Sequence, residues 1–161
     1  MRHVYWVFEN LLAGRAGPTR LAWNPAELYA GGIRVVVTLA SEEEMGDLTQ
    51  YGLEHLRADF PPVLLFSPGM RKAFIHESLP VWAYLHRQVL AKRPTLVHCF
   101  EGKDRTGALL AGYLVVYQKV MPEVAVRTLR LANPDAMTAQ GYEDAVHLLQ
   151  PGIIPDRTSL L

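Results

Sequence analysis

The chain has 161 residues, half of them hydrophobic, enough to bury one substantial core but short for two independent domains. With 16 basic and 16 acidic side chains the formal net charge is zero, so no overall field draws it to nucleic acid or an anionic bilayer, and any attraction for an anion has to be local. Cys99 is the single cysteine, which excludes an intramolecular disulfide, and there is neither an apolar leader nor a membrane-length apolar run, so the expectation is a cytoplasmic protein without stable membrane insertion.

No repeat, low-complexity tract or polar linker interrupts residues 1–161, and a single domain is expected. The β-branched run Ile33 to Leu39 predicts a buried strand, and Ser41-Glu42-Glu43-Glu44 has the pattern of a capping box opening a helix. A second strand is expected at Leu53 to Arg57. After Ser78 and Pro80, the residues Leu79, Trp82, Ala83, His86, Val89 and Leu90 recur at helical spacing. A third strand follows at Thr95 to His98. Helices are then expected from Thr106 to Lys119, from Pro122 to near Asn133, and from Thr138 to Leu149. Alternating strands and helices imply an α/β fold with a mostly parallel central sheet flanked by helices, whose ligands sit at the carboxyl ends of the strands.

At such an end lies His98-Cys99-Phe100-Glu101-Gly102-Lys103-Asp104-Arg105-Thr106-Gly107. With five residues between Cys99 and Arg105, the loop can curl until successive N–H groups point inward as an anion nest, and the following helix adds its positive N-terminus. Phe100, Glu101, Gly102, Lys103 and Asp104 are therefore substrate-binding candidates through their backbone. Arg105 can grip two oxygens of a phosphate with its planar fork. A thiol in these surroundings ionises more readily than free cysteine, and its thiolate can attack phosphorus. Thr106 is placed to stabilise the sulfur as a leaving group, and His98 to hold the loop backbone. No step calls for a metal or other cofactor.

This loop resembles that of the Cys-x5-Arg protein tyrosine phosphatase superfamily, and specifically its small atypical dual-specificity members. VYWVFENLLAGRAGP is similar to the family's opening segment, GIRVVVTLASEE to its first strand and turn, and LEHLRADFPP to its general-acid loop. The resemblance implies hydrolysis of phosphomonoesters on phosphorylated proteins or peptides, oxyanion binding in the loop, and Asp59 as the general acid. The Gly102-Lys103 pair and Asp104 resemble loops of phosphoinositide phosphatases, which leaves a lipid substrate and Asp104 as acid as the competing readings. Val63 to Glu77 has the appearance of an insertion relative to compact members, and Arg71 and Lys72 within it are candidates to cover the pocket. A thiol-based reductase would need a resolving cysteine that the chain lacks, whereas a non-catalytic phosphate-binding module would have lost the nucleophile or the acid.

Overall fold

The computed structural model describes residues 1–160. Five strands, β1 (Tyr5–Phe8), β2 (Leu12–Arg15), β3 (Val35–Ala40), β4 (Glu54–Phe60) and β5 (Thr95–His98), form one sheet in the order β1-β2-β5-β3-β4. β1 and β2 make an antiparallel hairpin, and every other pairing is parallel. The expected α/β architecture with a mostly parallel sheet is therefore present, with one antiparallel edge.

Strand β3 is buried along its whole length, which is why it reads as a continuous β-branched run instead of an alternating one. Its side chains still divide by period two. Val35, Val37 and Leu39 join Val97 and the helices α2 (Pro68–Leu90), α3 (Arg105–Gln118), α4 (Pro122–Ala132) and α5 (Tyr142–His147) in the main core. Val36 and Leu96 face the other way and pack with Leu28 of α1 (Pro25–Ala30), Ile33, Leu48 and Leu53. Burial on both faces is the term that holds a parallel sheet together, at about 25 cal/mol per Å² of apolar surface removed from water.

Several expected boundaries move. Ser41 to Glu44 does not open a helix: the next helical turn is a short 3-10 segment at Leu48–Tyr51, capped by the Asp47 carboxylate on the Thr49 amide. Ser41 turns its hydroxyl to the Glu42 carboxylate rather than to a backbone amide. The Arg57 guanidinium occupies the carbonyls of Ala40, Ser41 and Glu43, and Gly46 takes a left-handed φ of 65°, so helical continuation is blocked.

The stretch from 63 to 77 is not a detached insertion. Ser67 caps α2 by accepting from the Met70 amide, and the helix runs for 23 residues straight through Pro80. Proline only removes one donor and kinks or strains the preceding turn, which packing of Phe74, Ile75, Val81, Trp82 and Leu85 in the core outweighs. Ser78 is accordingly mid-helix, its hydroxyl donating to the Phe74 carbonyl at 2.7 Å. The last expected helix shortens to Tyr142–His147. Among the described residues no helix is long and apolar enough to cross a membrane.

Candidate active site

Strand β5 stops at His98 and α3 starts at Arg105, so the intervening loop sits at the carboxyl edge of the sheet. Four of its carbonyls are held by hydrogen bonds, three of them from elements remote in sequence. The Cys99 carbonyl accepts from His98 Nδ1 at 3.0 Å, that of Phe100 from the Gly17 amide at 2.9 Å, and that of Lys103 from the Met137 amide at 3.1 Å. The Gly102 carbonyl accepts from the Tyr5 hydroxyl and, at 3.3 Å, from Asn133 Nδ2. A peptide carbonyl and the following N–H point in opposite directions, so each outward carbonyl turns the next amide inward. The nest is thus built by elements remote in sequence: the β1–β2 hairpin on one side and the α4–α5 connection on the other.

Gly102 has φ of 71°, and a Cβ there would lie 2.5 Å from the Arg15 carbonyl group. Only glycine fits, both for conformation and for space. Its amide donates to Cys99 Sγ at 3.2 Å. Cys99 is a free thiol only 2% exposed, on the floor of a cleft of about 340 Å³.

Arg105 projects into the same cleft. Its Nη1 donates to Glu42 Oε2 at 3.1 Å and to the Phe60 carbonyl at 3.0 Å, and its Nη2 donates to Glu42 Oε1. A guanidinium has five N–H donors. Three are used, leaving Nε–H and one Nη2–H side by side for two oxygens of an oxyanion. Burial works against the Arg105 charge, but the hydrogen-bonded Glu42 carboxylate and Cys99 hold its pKa above the ordinary value. The same hydrogen bond from Arg105 keeps the Glu42 carboxyl below the usual carboxylate range.

The remaining expected residues are placed unevenly. Thr106 is buried, but its Oγ1 has no hydrogen-bond partner and makes no bond to the sulfur. His98 is fully buried, with burial lowering its pKa to about 4, and Trp23 sits edge-on at 4.6 Å. Asp104 and Glu101 line the Cys99 cleft; the Asp104 carboxylate also accepts from the Ala139 amide at 3.0 Å. Asp59 does not line it. Because β4 continues to Phe60, the Asp59 side chain is fixed at the strand end, 52% exposed and paired with Arg57 at 2.8 Å, beside a neighbouring hollow under Pro61 and Val63. Lys103 lies outside the cleft as well, 3.5 Å from Glu101, in a polar groove shared with Arg20 and His3. Arg71 donates to the Leu65 carbonyl and so braces the 61–66 strap instead of covering the pocket.

The family model described as PTP-SAK, a Swiss Army Knife protein DSP-PTPase phosphatase domain, matches residues 1–158. The chain belongs to this phosphatase family. It is a cysteine-dependent phosphatase of the protein tyrosine phosphatase superfamily, of the dual-specificity type. No curated protein matches it by sequence. Solved structures share its fold: Tk-PTP in the active form has 19% identity and a TM-score of 0.74, with 92% of this chain and 97% of that one covered. Human DUSP28 has 18% identity and a TM-score of 0.73 over 92% and 93%. PTPMT1 in complex with PI(5)P has 15% identity and a TM-score of 0.68 over 91% and 93%.

In this phosphatase two residues that line the cleft are not legible as such in the sequence. Glu42 reads as a helix-opening carboxylate, yet it orients Arg105; its one available signal is an acid just beyond a buried strand at the ligand-binding edge of the sheet. Tyr142, which forms a wall of the cleft, carries no local signal at all.

Proposed function

We propose that this phosphatase hydrolyses phosphomonoesters of proteins or peptides through a cysteinyl-phosphate intermediate, without a metal or other cofactor. The observation that carries this reading is the placement of Cys99 Sγ, the free edge of Arg105 and the inward amides of residues 100–104 around one cleft. Cys99 attacks phosphorus as the P–O bond to the leaving group breaks, and a carboxyl group gives its proton to the departing oxygen. Water then attacks the phosphocysteine, the P–S bond breaks, and inorganic phosphate leaves. The Thr106 hydroxyl, buried without a partner, turns to the sulfur as charge returns to it. The Arg105 edge and the amides hold the equatorial oxygens in both steps.

Of the two candidate acids, Asp104 is the one already in the cleft. Asp59 reaches it only if the segment from Asp59 to Leu65 folds over the loop, giving up the pairing with Arg57. We therefore assign the proton to Asp104.

The cleft has an apolar side, formed by Pro62, Val63, Leu64 and Tyr142. An aryl phosphate buries its ring there, whereas a polyhydroxylated ring gains nothing from such a wall. This supports phosphotyrosine or a dual-specificity substrate. The phosphoinositide reading draws support from the likeness to PTPMT1 bound to PI(5)P, but Lys103 is turned to the adjacent groove. Assay of para-nitrophenyl phosphate in a metal chelator, with mass spectrometry of acid-quenched enzyme, tests the mechanism: an added phosphate on Cys99, absent in Cys99→Ser together with turnover, is expected. Turnover in Cys99→Ser near the wild-type rate would sink it. A panel of phosphopeptides and phosphoinositides ranks the substrates.

A further inference from the structure

His98 is the only phosphate-loop residue whose side chain leads away from the cleft along a chain of hydrogen bonds. Its Nδ1 lies 3.0 Å from the Cys99 carbonyl and its Nε2 lies 2.7 Å from Thr38 Oγ1, which is in turn 2.8 Å from His55 Nε2. Register explains the alignment: Thr38 on β3 is flanked by His98 on β5 and Arg57 on β4, and His55, two residues before Arg57, shares its face. The chain runs from half-buried His55 on the edge strand to the backbone of the nucleophile.

Each link has a direction. A carbonyl oxygen only accepts, so His98 Nδ1 carries the proton that it gives to Cys99. Burial, with the basic groups His55, Arg15 and Arg57 nearby, lowers the pKa of this ring to about 4, so near neutral pH it is neutral with a bare Nε2. Thr38 must then donate its single proton to His98 Nε2. Its oxygen is left as acceptor only, and the donor to it is His55 Nε2–H. Burial, and then Arg57, lower the His55 pKa, so near neutral pH His55 has one ring proton, and that proton has to be on Nε2.

We propose that His55 is a positioning residue for the phosphate loop: its Nε2–H orients the Thr38 hydroxyl and thereby keeps the His98 proton on Nδ1, the nitrogen that faces the Cys99 carbonyl. A proton in the wrong place at any link would set a lone pair of His98 against that carbonyl and let the peptide after Cys99 rotate. That peptide supplies the Phe100 amide, the first of the nest. The kinetic part of this inference rests on the catalytic reading above; the structural part does not.

The test uses His55→Glu, which puts an acceptor where the donor was, and His55→Gln, whose amide nitrogen restores a donor. ¹⁵N NMR of the imidazoles reports the tautomer of His98 directly. At pH 7 the wild type and His55→Gln are expected to show neutral His98 protonated on Nδ1, and His55→Glu to lose that signature. Affinity for inorganic phosphate and kcat should fall together in His55→Glu, by roughly 10- to 100-fold if the loop backbone shifts by a fraction of an ångström, and recover to within about threefold in His55→Gln. Thr38→Val cuts the chain without adding charge and is expected to lower both quantities likewise, which covers the case of a misfolded His55→Glu protein. A wild-type His98 protonated on Nε2, or a His55→Glu variant with altered tautomer but unchanged phosphate affinity, would overturn the proposal. If the wild type hydrolyses no phosphomonoester while tautomer and phosphate affinity respond as stated, the catalytic reading fails and the positioning role stands.

Discussion

The carboxylate of Glu42 lies edge to edge with the guanidinium of Arg105, joined to both terminal nitrogens. The Arg105 side chain is only 8% exposed and that of Glu42 30% exposed, so removing the acid strands a mostly buried cation and frees it to rotate. Glu42→Ala is therefore expected to lower kcat/KM for para-nitrophenyl phosphate by roughly 10- to 100-fold through misplacement of the oxyanion-binding edge. Glu42→Gln, which still accepts one hydrogen bond, should lose less. Steady-state kinetics decide it, and values within twofold of wild type for Glu42→Ala would show that Phe60 and the loop hold Arg105 unaided.

Arg105→Lys keeps the charge but has no planar fork to share between Glu42, the Phe60 carbonyl and two phosphate oxygens. Catalysis should fall by about a hundredfold or more, with the larger effect on kcat, since the lost contacts strengthen as charge develops in the transition state. A loss confined to KM would place Arg105 in ground-state binding alone.

The acid can be assigned by leaving group. An oxygen that departs readily as an anion needs no proton, so loss of the acid should slow a phosphotyrosine peptide or alkyl phosphate by about 10²–10⁴ and a good aryl leaving group much less. Asp104→Asn is expected to show that contrast and to flatten the alkaline limb of the pH–rate profile. Asp59→Asn should leave both in place and act weakly, through Arg57 and the turn carrying Glu42. The reverse pattern would mean that the 59–65 segment closes over the loop during turnover.

Stability should depend on pH through His98. Its folded pKa of about 4 lies below the value of about 6.5 expected for the unfolded chain. Between those values the unfolded state binds a proton that the native state does not, so stability falls as pH drops from about 6.5 to 4, by on the order of 3 kcal/mol at most. Glu42, whose carboxyl is held below its usual range by Arg105, removes a further contribution once the pH falls through its folded pKa. Thermal melts from pH 7 to 4 should show Tm decreasing, and His98→Asn, which keeps a donor for the Cys99 carbonyl but does not titrate, should flatten the upper part of that decline. A Tm that rises on acidification over this range would contradict the buried neutral ring.

Much of this molecule is local in origin, and that part is legible in the order of residues. The β-branched run of β3, the short strand before Cys99, the glycine inside the loop and the apolar helix after Arg105 each follow from period, propensity or permitted φ within a few residues, and together they specify an α/β sheet with an anion nest at its carboxyl edge. Tertiary structure decided what depends on partners far along the chain. The β1–β2 hairpin is too short and irregular to declare itself, yet Tyr5 and Gly17 turn two loop carbonyls outward. Ser41 to Glu44 has a capping pattern that Arg57, 14 to 16 residues later, converts into a turn presenting Glu42 to Arg105. Asp59 has the sequence context of an acid but is held aside by the extension of β4 and the same Arg57, while Asp104 is brought to the cleft. Which carboxylate meets which cation is set by the packing of strands and loops, because a side chain's partner depends on distance in space, which spacing along the sequence does not encode.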